Sequence, residues 1–234
     1  MTVERRATKH SELGERLREL VAQLPPGGPL PPERQLAEEW GVARMTVRQA
    51  IASLAQEGLV RTVHGRGNLR APEPISLRVR LGSFAAELRE HDLEPTTKIL
   101  ASGVDENPPE TVVEFLGAET RLFKIRRLRL GDAVPLALEQ TWLRADMVPD
   151  LMEELLEGSL YEYLERRGKR PDSGEESVRA GLPNVEEVRL LETASSRPVF
   201  RLTRRSLLRG RPIEIGDAVF PADRCELWFP LSEV

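Results

Sequence analysis

The segment at residues 30–70, LPPERQLAEEWGVARMTVRQAIASLAQEGLVRTVHGRGNLR, restricts the fold more than any other part of the chain. Its apolar residues Leu36, Ala37, Trp40, Val42, Val47, Ile51 and Leu54 recur at helical spacing, with one break at Gly41. The break predicts two short helices joined by a tight turn, because glycine accepts the positive φ that such a turn needs. Two helices packed across a turn make a helix-turn-helix, whose second helix stands proud of the body. Arg44, Thr46, Arg48 and Gln49 fall near the start of that second helix. Such side chains can reach phosphates and base edges in a major groove, where an arginine can hold guanine through two hydrogen bonds. After Gly58 the period becomes that of a strand. Residues 59–63 and 68–70 read as the arms of a hairpin, and His64, Gly65, Arg66 and Gly67 as its turn. The whole reads as a winged helix with an arginine at the wing tip, between two glycines that allow close backbone approach to a partner.

The runs L-P-x-E-R-x-L-A, G-V-x-R-x-T-V-R-x-A-I-x-x-L, E-G-L-V and H-G-R-G resemble the DNA-binding domain of the GntR family of bacterial transcriptional regulators. The resemblance implies that Arg34 contacts the DNA backbone. Each arginine also has a plain reading as solvated surface charge, and Glu38 is spaced to pair with Arg34. Four arginines on the face that the resemblance assigns to DNA favour the DNA reading over that plain one. Thr46 has a packing alternative, and His64 reads as a turn residue that brushes a phosphate rather than a base.

The chain carries a net charge of −4, which at first argues against nucleic acid. The charge is unevenly placed. Residues 1–72 hold 11 Lys/Arg against 8 Asp/Glu, an excess of three positive charges. The remainder holds 23 against 30, an excess of seven negative ones. The basic balance therefore lies with the helix-turn-helix, and it is small enough that affinity must rest on arginine placement and dimerisation. One cysteine, Cys225, excludes an internal disulfide framework and suits a reducing cytoplasm. Three dispersed histidines argue against a His-rich metal site. No phosphate-loop or dinucleotide motif occurs, so no cofactor is expected. The first residues lack the apolar run of a signal peptide, and no apolar run is long enough to span a bilayer. A cytoplasmic protein is expected.

Upstream of the winged helix, residues 1–10 read as frayed. Ser11 then reads as the N-cap of a helix whose apolar face is Leu13, Leu17, Leu20, Val21 and Leu24. The prolines and glycines at 25–29 end it. The domain expectation is 1–71 for the winged helix, 72–77 for an extended proline-bearing linker, and 78–234 for a second domain. In that second domain residues 83–90, 108–116, 149–156, 160–167 and 185–191 read as helices. Residues 93–103, 178–180, 199–207, 213–220 and 224–230 read as strands. Residues 121–130 and 135–142 form a hairpin about a Gly131-Asp132 turn. Strands joined mostly by hairpins, with helices to the side, predict an α+β, largely antiparallel domain.

This half resembles the UTRA effector-binding domain of the HutC-like GntR subfamily, which has a chorismate-lyase-like fold. The runs that carry the likeness are LGSFAAEL at 81–88, RLRLGDAVPLALE at 127–139, GSLYEYL at 158–164 and RPIE…DR at 211–224. On their own, Arg127 and Arg129 stand two apart on one strand and share a face, with Glu139 on the partner strand. They can be a cross-strand ion pair or a pocket in which arginine forks hold an anion and the glutamate accepts from hydroxyls. The resemblance implies that Arg127, Arg129, Glu139, Ser159 and Tyr161 line the effector site. It implies that the helix start at Ser83, Phe84 and Ala85 forms another wall, with backbone amides suited to a phosphate or carboxylate. Ala85 replaces the threonine or serine of phosphosugar binders, Asp217 falls where relatives carry a polar pocket residue, and Cys225 replaces an aromatic as a buried packing residue.

The expected protein is a homodimeric transcriptional regulator, a repressor, that binds double-stranded DNA at a palindromic operator. A small anionic metabolite, a sugar phosphate by preference, would control it, and residues 199–207 and 227–231 are the candidate dimer contacts. Two competitors are an enzyme on the chorismate-lyase-like fold with an appended DNA-binding domain, and a nucleoid protein that coats DNA without specificity. No nucleophile, metal or cofactor motif supports the enzyme, and the weak positive charge disfavours the coating protein.

Overall fold

The computed structural model describes residues 2–63, 65–117, 119–153 and 159–230. The chain divides into two compact units, Met1–Glu73 and Pro74–Val234.

The first unit contains helices α1 (Thr2–Gln23), α2 (Glu33–Trp40) and α3 (Arg44–Glu57), then strands β1 (Val60–Val63) and β2 (Gly67–Arg70) in an antiparallel hairpin. Gly41 takes φ 63° at the end of α2, as the turn requires, and Gly58 takes φ 89° at the end of α3. The core joins Leu13, Leu17 and Val21 of α1 to Leu36 of α2 and to Val47 and Ile51 of α3. This is the apolar set read from the sequence. The start of α1 corrects that reading. The helix begins at Thr2 rather than after a cap at Ser11, because residues 4–9 contain good helix formers and neither glycine nor proline. The Pro/Gly loop after α1 also pairs with the wing. Leu30 N–H donates to Asn68 O at 2.8 Å and Arg70 N–H to Gly28 O at 2.8 Å. The Arg70 side chain donates to the Ala22 and Leu24 carbonyls at the end of α1, which would otherwise be orphaned.

The second unit is built on a six-stranded antiparallel sheet in the order β4-β5-β6-β9-β8-β7. Its strands are β4 (Pro95–Val104), β5 (Leu122–Gly131), β6 (Val134–Arg144), β7 (Ser173–Gly181), β8 (Val199–Leu208) and β9 (Arg211–Pro221). A separate parallel pair joins β3 (Ile75–Arg78) to β10 (Cys225–Trp228). Helices α4 (Phe84–Glu90), α5 (Glu110–Leu116), α6 (Leu160–Arg166) and α7 (Val185–Leu190) complete the unit.

Four sequence expectations change here. Residues 75–77, read as the end of a linker, form β3 instead. The prolines at 72 and 74 precede the strand rather than interrupt it, and Leu77 is buried with Phe220 and Cys225. The β5–β6 turn sits one residue later, at Asp132 and Ala133, which both have positive φ as a primed two-residue turn demands. Gly131 stays in the strand, where an added Cβ would lie 2.9 Å from Leu136 Cδ1. Residues 149–153, read as the start of a helix, form turns, and 154–156 lie outside the described residues. Finally, β8 pairs on both sides, with β7 and β9, and buries Val199 and Leu202 in its own domain. Val199 and Leu202 of the candidate dimer contact are thus core of this domain, while Phe200 and Leu207 are half-buried. In the last segment Trp228 and Phe229 are exposed, and Leu231 lies outside the described residues.

Candidate nucleic-acid interface and ligand cavity

In the first unit, α3 buries Val47, Ala50, Ile51 and Leu54, and helical spacing therefore turns Arg44, Arg48 and Gln49 outward. Those three are exposed and Thr46 is half-buried. The sequence reading did not anticipate what holds the arginines. Glu33, in the first turn of α2, accepts from Arg44 Nε at 3.0 Å and from Arg48 Nη2 at 2.9 Å and Nε at 3.2 Å. The hydrogen bond from Arg48 is the main cause that holds the Glu33 carboxyl below its usual range, against a smaller opposing effect of burial. Arg34 is exposed and pairs with Glu38 at 3.1 Å, as its i,i+4 spacing predicted. At the wing, Gly65 and Gly67 take φ 77° and 81°, Arg66 N–H donates to Val63 O at 3.1 Å, and the Arg66 side chain is exposed. His64 lies outside the described residues.

In the second unit, the register sets Arg127 opposite Glu139 and Glu139 opposite Ala218, so these residues share one sheet face. A cavity on that face is bounded by the starts of α4 and α6 and by β5, β6, β8 and β9. Ser83, Phe84, Arg127, Arg129, Glu139, Ser159 and Tyr161 all line it. Ser83 and Ser159 are the N-caps of α4 and α6, and their hydroxyls accept from Ala86 N–H and Glu162 N–H. The aromatic ring of Phe84 lies 5.3 Å from the Arg129 guanidinium, close enough for a cation–π contact.

Arg127 and Arg129 are only 5% and 3% exposed. Arg127 Nη2 lies 3.0 Å from Glu139 Oε2, and Arg129 Nε lies 4.0 Å from the same oxygen. The Arg127 contact brings opposite charges together without an aligned hydrogen bond. Arg127 Nε and Nη1 and Glu139 Oε2 are all buried without a hydrogen-bond partner. Burial pulls the Arg129 guanidinium below its ordinary pKa; Glu139 opposes this and Arg127 adds to it. The cross-strand pair exists, but as a buried one with spare donors and not as an exposed ladder.

One predicted lining residue, Ala85, is placed differently. Ala85 is buried and does not line the cavity, because it follows the N-cap on the inward side of α4. Asp217 borders the cavity from β9, between Gly216 and Ala218, while its carboxylate accepts from Thr203 Oγ1 at 2.7 Å. The polar lining residues that the sequence does not point to include Glu214, Arg204, Glu176, Thr141, Arg80 and Glu87. Tyr161 Oη donates to Glu214 Oε2 at 2.9 Å, and burial raises the pKa of both groups. Arg204 donates to Glu176 at 2.8 Å and Arg80 to Glu87 at 3.2 Å. Polar residues on β8 and β9 at alternate positions were the available signal. Among the described residues, no group of three His, Cys, Asp or Glu could hold a metal ion, and no helix is long and apolar enough to cross a membrane.

A winged helix carried with a mostly antiparallel domain that encloses a charged cavity defines a DNA-binding regulator with a ligand domain as the class of protein. Comparison with known proteins names the family. Residues 9–69 match the bacterial regulatory proteins of the gntR family, and residues 90–226 match the UTRA domain. The chain belongs to the GntR family of transcriptional regulators that carry a UTRA domain. It is 28% identical over 222 residues to the mannosyl-D-glycerate transport/metabolism system repressor MngR of Escherichia coli strain K12, covering 92% of each chain. It is 28% identical over 206 residues to the transcriptional repressor NagR of Bacillus subtilis strain 168, covering 86% of this chain and 85% of that one. The crystal structure of PhnF from Mycobacterium smegmatis superposes with a TM-score of 0.67 at 26% identity, over 95% of this chain and 100% of that one.

Proposed function

We propose that this protein is a cytoplasmic, homodimeric transcriptional repressor whose operator binding is controlled by a small anionic, hydroxyl-bearing metabolite. Each winged helix places Arg44, Thr46, Arg48 and Gln49 in the major groove of one half of a palindromic operator. Arg34 meets the backbone, and the tip at His64, Gly65, Arg66 and Gly67 lies in or near the minor groove. The metabolite sits in the cavity of the second unit, where Arg127 and Arg129 take its anionic group and Glu139 and Glu214 accept from its hydroxyls. Its binding biases the dimer toward a spacing of winged helices that no longer fits both half-sites.

The observation that carries the ligand half is the pair of buried, unpartnered N–H groups of Arg127. Two guanidinium groups face one carboxylate there, so the cluster has one cation in excess. An anion would both neutralise that excess and satisfy the spare donors, which otherwise cost free energy. A relative named for a mannosyl-D-glycerate system supports the chemical class, since glycerate is a carboxylate joined there to a sugar. Sugar phosphates present the same combination of anion and hydroxyls.

The test is a thermal-shift screen of sugar phosphates and sugar acids on the full chain, followed by operator release for each hit. A ligand at a hundredfold its dissociation constant should stabilise by about 2.7 kcal/mol. A stabilising anion that leaves operator binding unchanged contradicts the regulatory half of the reading. Binding confined to neutral or cationic ligands contradicts the assignment of the arginines.

A further inference from the structure

The geometry points to Glu33 as a positioning residue for DNA recognition: it clamps Arg44 and Arg48 side by side and trades general phosphate affinity for sequence discrimination. The inference rests on the reading of α3 as the base-reading helix.

The two arginines are held in different ways. Arg48 binds the carboxylate side-on, through Nε at 3.2 Å and Nη2 at 2.9 Å. Arg44 uses Nε alone, at 3.0 Å. The terminal nitrogens of Arg44 are therefore left to act as an outward fork, the arrangement that suits guanine O6 and N7. The side-on edge of Arg48, which would otherwise suit a phosphate, is already taken. Glu33 is itself mostly covered, at 18% side-chain exposure, whereas the two arginines are largely exposed, at 61% and 50%. The acceptor is thus the fixed member and the donors are the mobile ones. Mobile arginines lose conformational freedom on ordering, and a clamp made in the free protein removes part of that loss from the binding step.

The clamp also places one negative charge within hydrogen-bond reach of two positive ones on the face that meets DNA. Non-specific binding depends on the number of phosphate charges neutralised, so an internal carboxylate lowers it. Base-edge contacts depend on donor geometry, so the same carboxylate favours them. Residues 1–72 carry an excess of only three positive charges, which fits a protein that relies on placed arginines rather than on bulk attraction.

The test compares operator and random-sequence DNA binding over a range of salt concentrations for wild type, Glu33→Gln, Arg44→Ala/Arg48→Ala, and the triple variant. Glu33→Gln keeps the size and releases the arginines. Its affinity for random DNA should rise. Its slope of log affinity against log salt on random DNA should steepen by about 0.9, the value of one added phosphate contact. Its ratio of operator to random affinity should fall about tenfold, within the discrimination that one bidentate base contact carries. In the Arg44→Ala/Arg48→Ala background the same change should leave slope and ratio alone.

A Glu33→Gln protein with wild-type slope and ratio overturns the inference. So does an effect that persists without the arginines, since that is simple removal of a negative charge. If Arg44→Ala/Arg48→Ala binds operator as wild type does, the reading of α3 falls and the inference with it, a failure distinct from the other two. Should Glu33→Gln not fold, Arg48→Lys approaches the clamp from the other side. It keeps the charge, cannot donate side-on twice, and should lower the same ratio; an unchanged ratio overturns the inference.

Discussion

The first unit keeps Arg34, Arg44, Arg48 and Arg66 in water, where the ion pairs they make, such as Arg34 with Glu38, are exposed. The second unit buries Arg127 and Arg129 almost completely on a sheet face, with one carboxylate between them. The same residue type therefore answers to different physics in the two places. An exposed pair is worth about 0–1 kcal/mol, so a pair such as Arg34 with Glu38 can be given up to a partner at small cost. A buried guanidinium has already lost its water and holds its position only through what surrounds it. The first arrangement suits a surface that exchanges solvent for DNA. The second suits a cavity whose occupancy changes the energy of the domain.

Breaking the buried cluster should have the largest effect. Glu139→Ala leaves two buried guanidinium groups without their carboxylate, and loss of one partner of a buried pair costs about 3–5 kcal/mol. Urea unfolding followed by tryptophan fluorescence reads this well, since Trp142 and Trp228 both lie in the second unit. A loss below about 1 kcal/mol would show that water solvates the arginines as it does those of the first unit, and the contrast would disappear.

The exposed side of the comparison predicts a moderate effect of the opposite kind. Arg48→Ala should leave stability within about 0.5 kcal/mol of wild type, as surface changes do. It should weaken operator binding by about 1–3 kcal/mol and relax preference at one operator position. Unchanged gel-shift affinity at moderate salt removes Arg48 from the interface.

The smallest effect sharpens the contrast within the second unit. Asp150 is half-buried and accepts from Arg167 Nε at 3.0 Å and from Tyr163 Oη at 2.9 Å. Arg167 chiefly, with Tyr163, lowers its pKa from 3.8 to about 2. A carboxyl with a depressed pKa in the folded state stabilises the protein above its unfolded value and loses that contribution as pH falls. Stability should thus decline between about pH 4 and pH 2, and Asp150→Asn should flatten that part of the profile. Identical acid profiles for variant and wild type contradict the assignment.

The two units also differ in how far they could be read from the sequence. The first was legible because its function lies in one contiguous segment. Helical periodicity, Gly41 and the Gly-Arg-Gly tip fix α2, α3 and the wing within a few residues, and the exposed arginines follow from which face is apolar. What stayed hidden was the Glu33 clamp, a contact across the turn between residues 11 and 15 apart, which no local pattern encodes. In the second unit the β5–β6 hairpin was legible, and with it the pairing of Arg127 and Glu139, because a short turn fixes register. The contributions of β8 and β9 were not. Glu214 and Arg204 reach the cavity only because β9 pairs with both β6 and β8, a long-range choice invisible to periodicity. Asp217 borders the cavity, but alternation turns its carboxylate to Thr203, since one step along a strand reverses the face. The strand at Ile75–Arg78 was hidden for a similar reason, as its partner β10 lies at the far end of the chain.

In the proposed function the buried arginines of the second unit sense a ligand and do not merely hold the fold. Arg129→Met tests this most directly. The change removes the cation in excess and keeps the Arg127–Glu139 pair and much of the apolar stem, so it leaves no carboxylate uncompensated. Operator binding is titrated with an anion identified by the thermal-shift screen, wild type beside variant. Operator affinity without ligand should be equal in the two, and the half-release concentration should rise at least about tenfold in the variant, as loss of one charge-assisted contact worth about 1.5–3 kcal/mol requires. Equal half-release concentrations in the two proteins would contradict the sensing role.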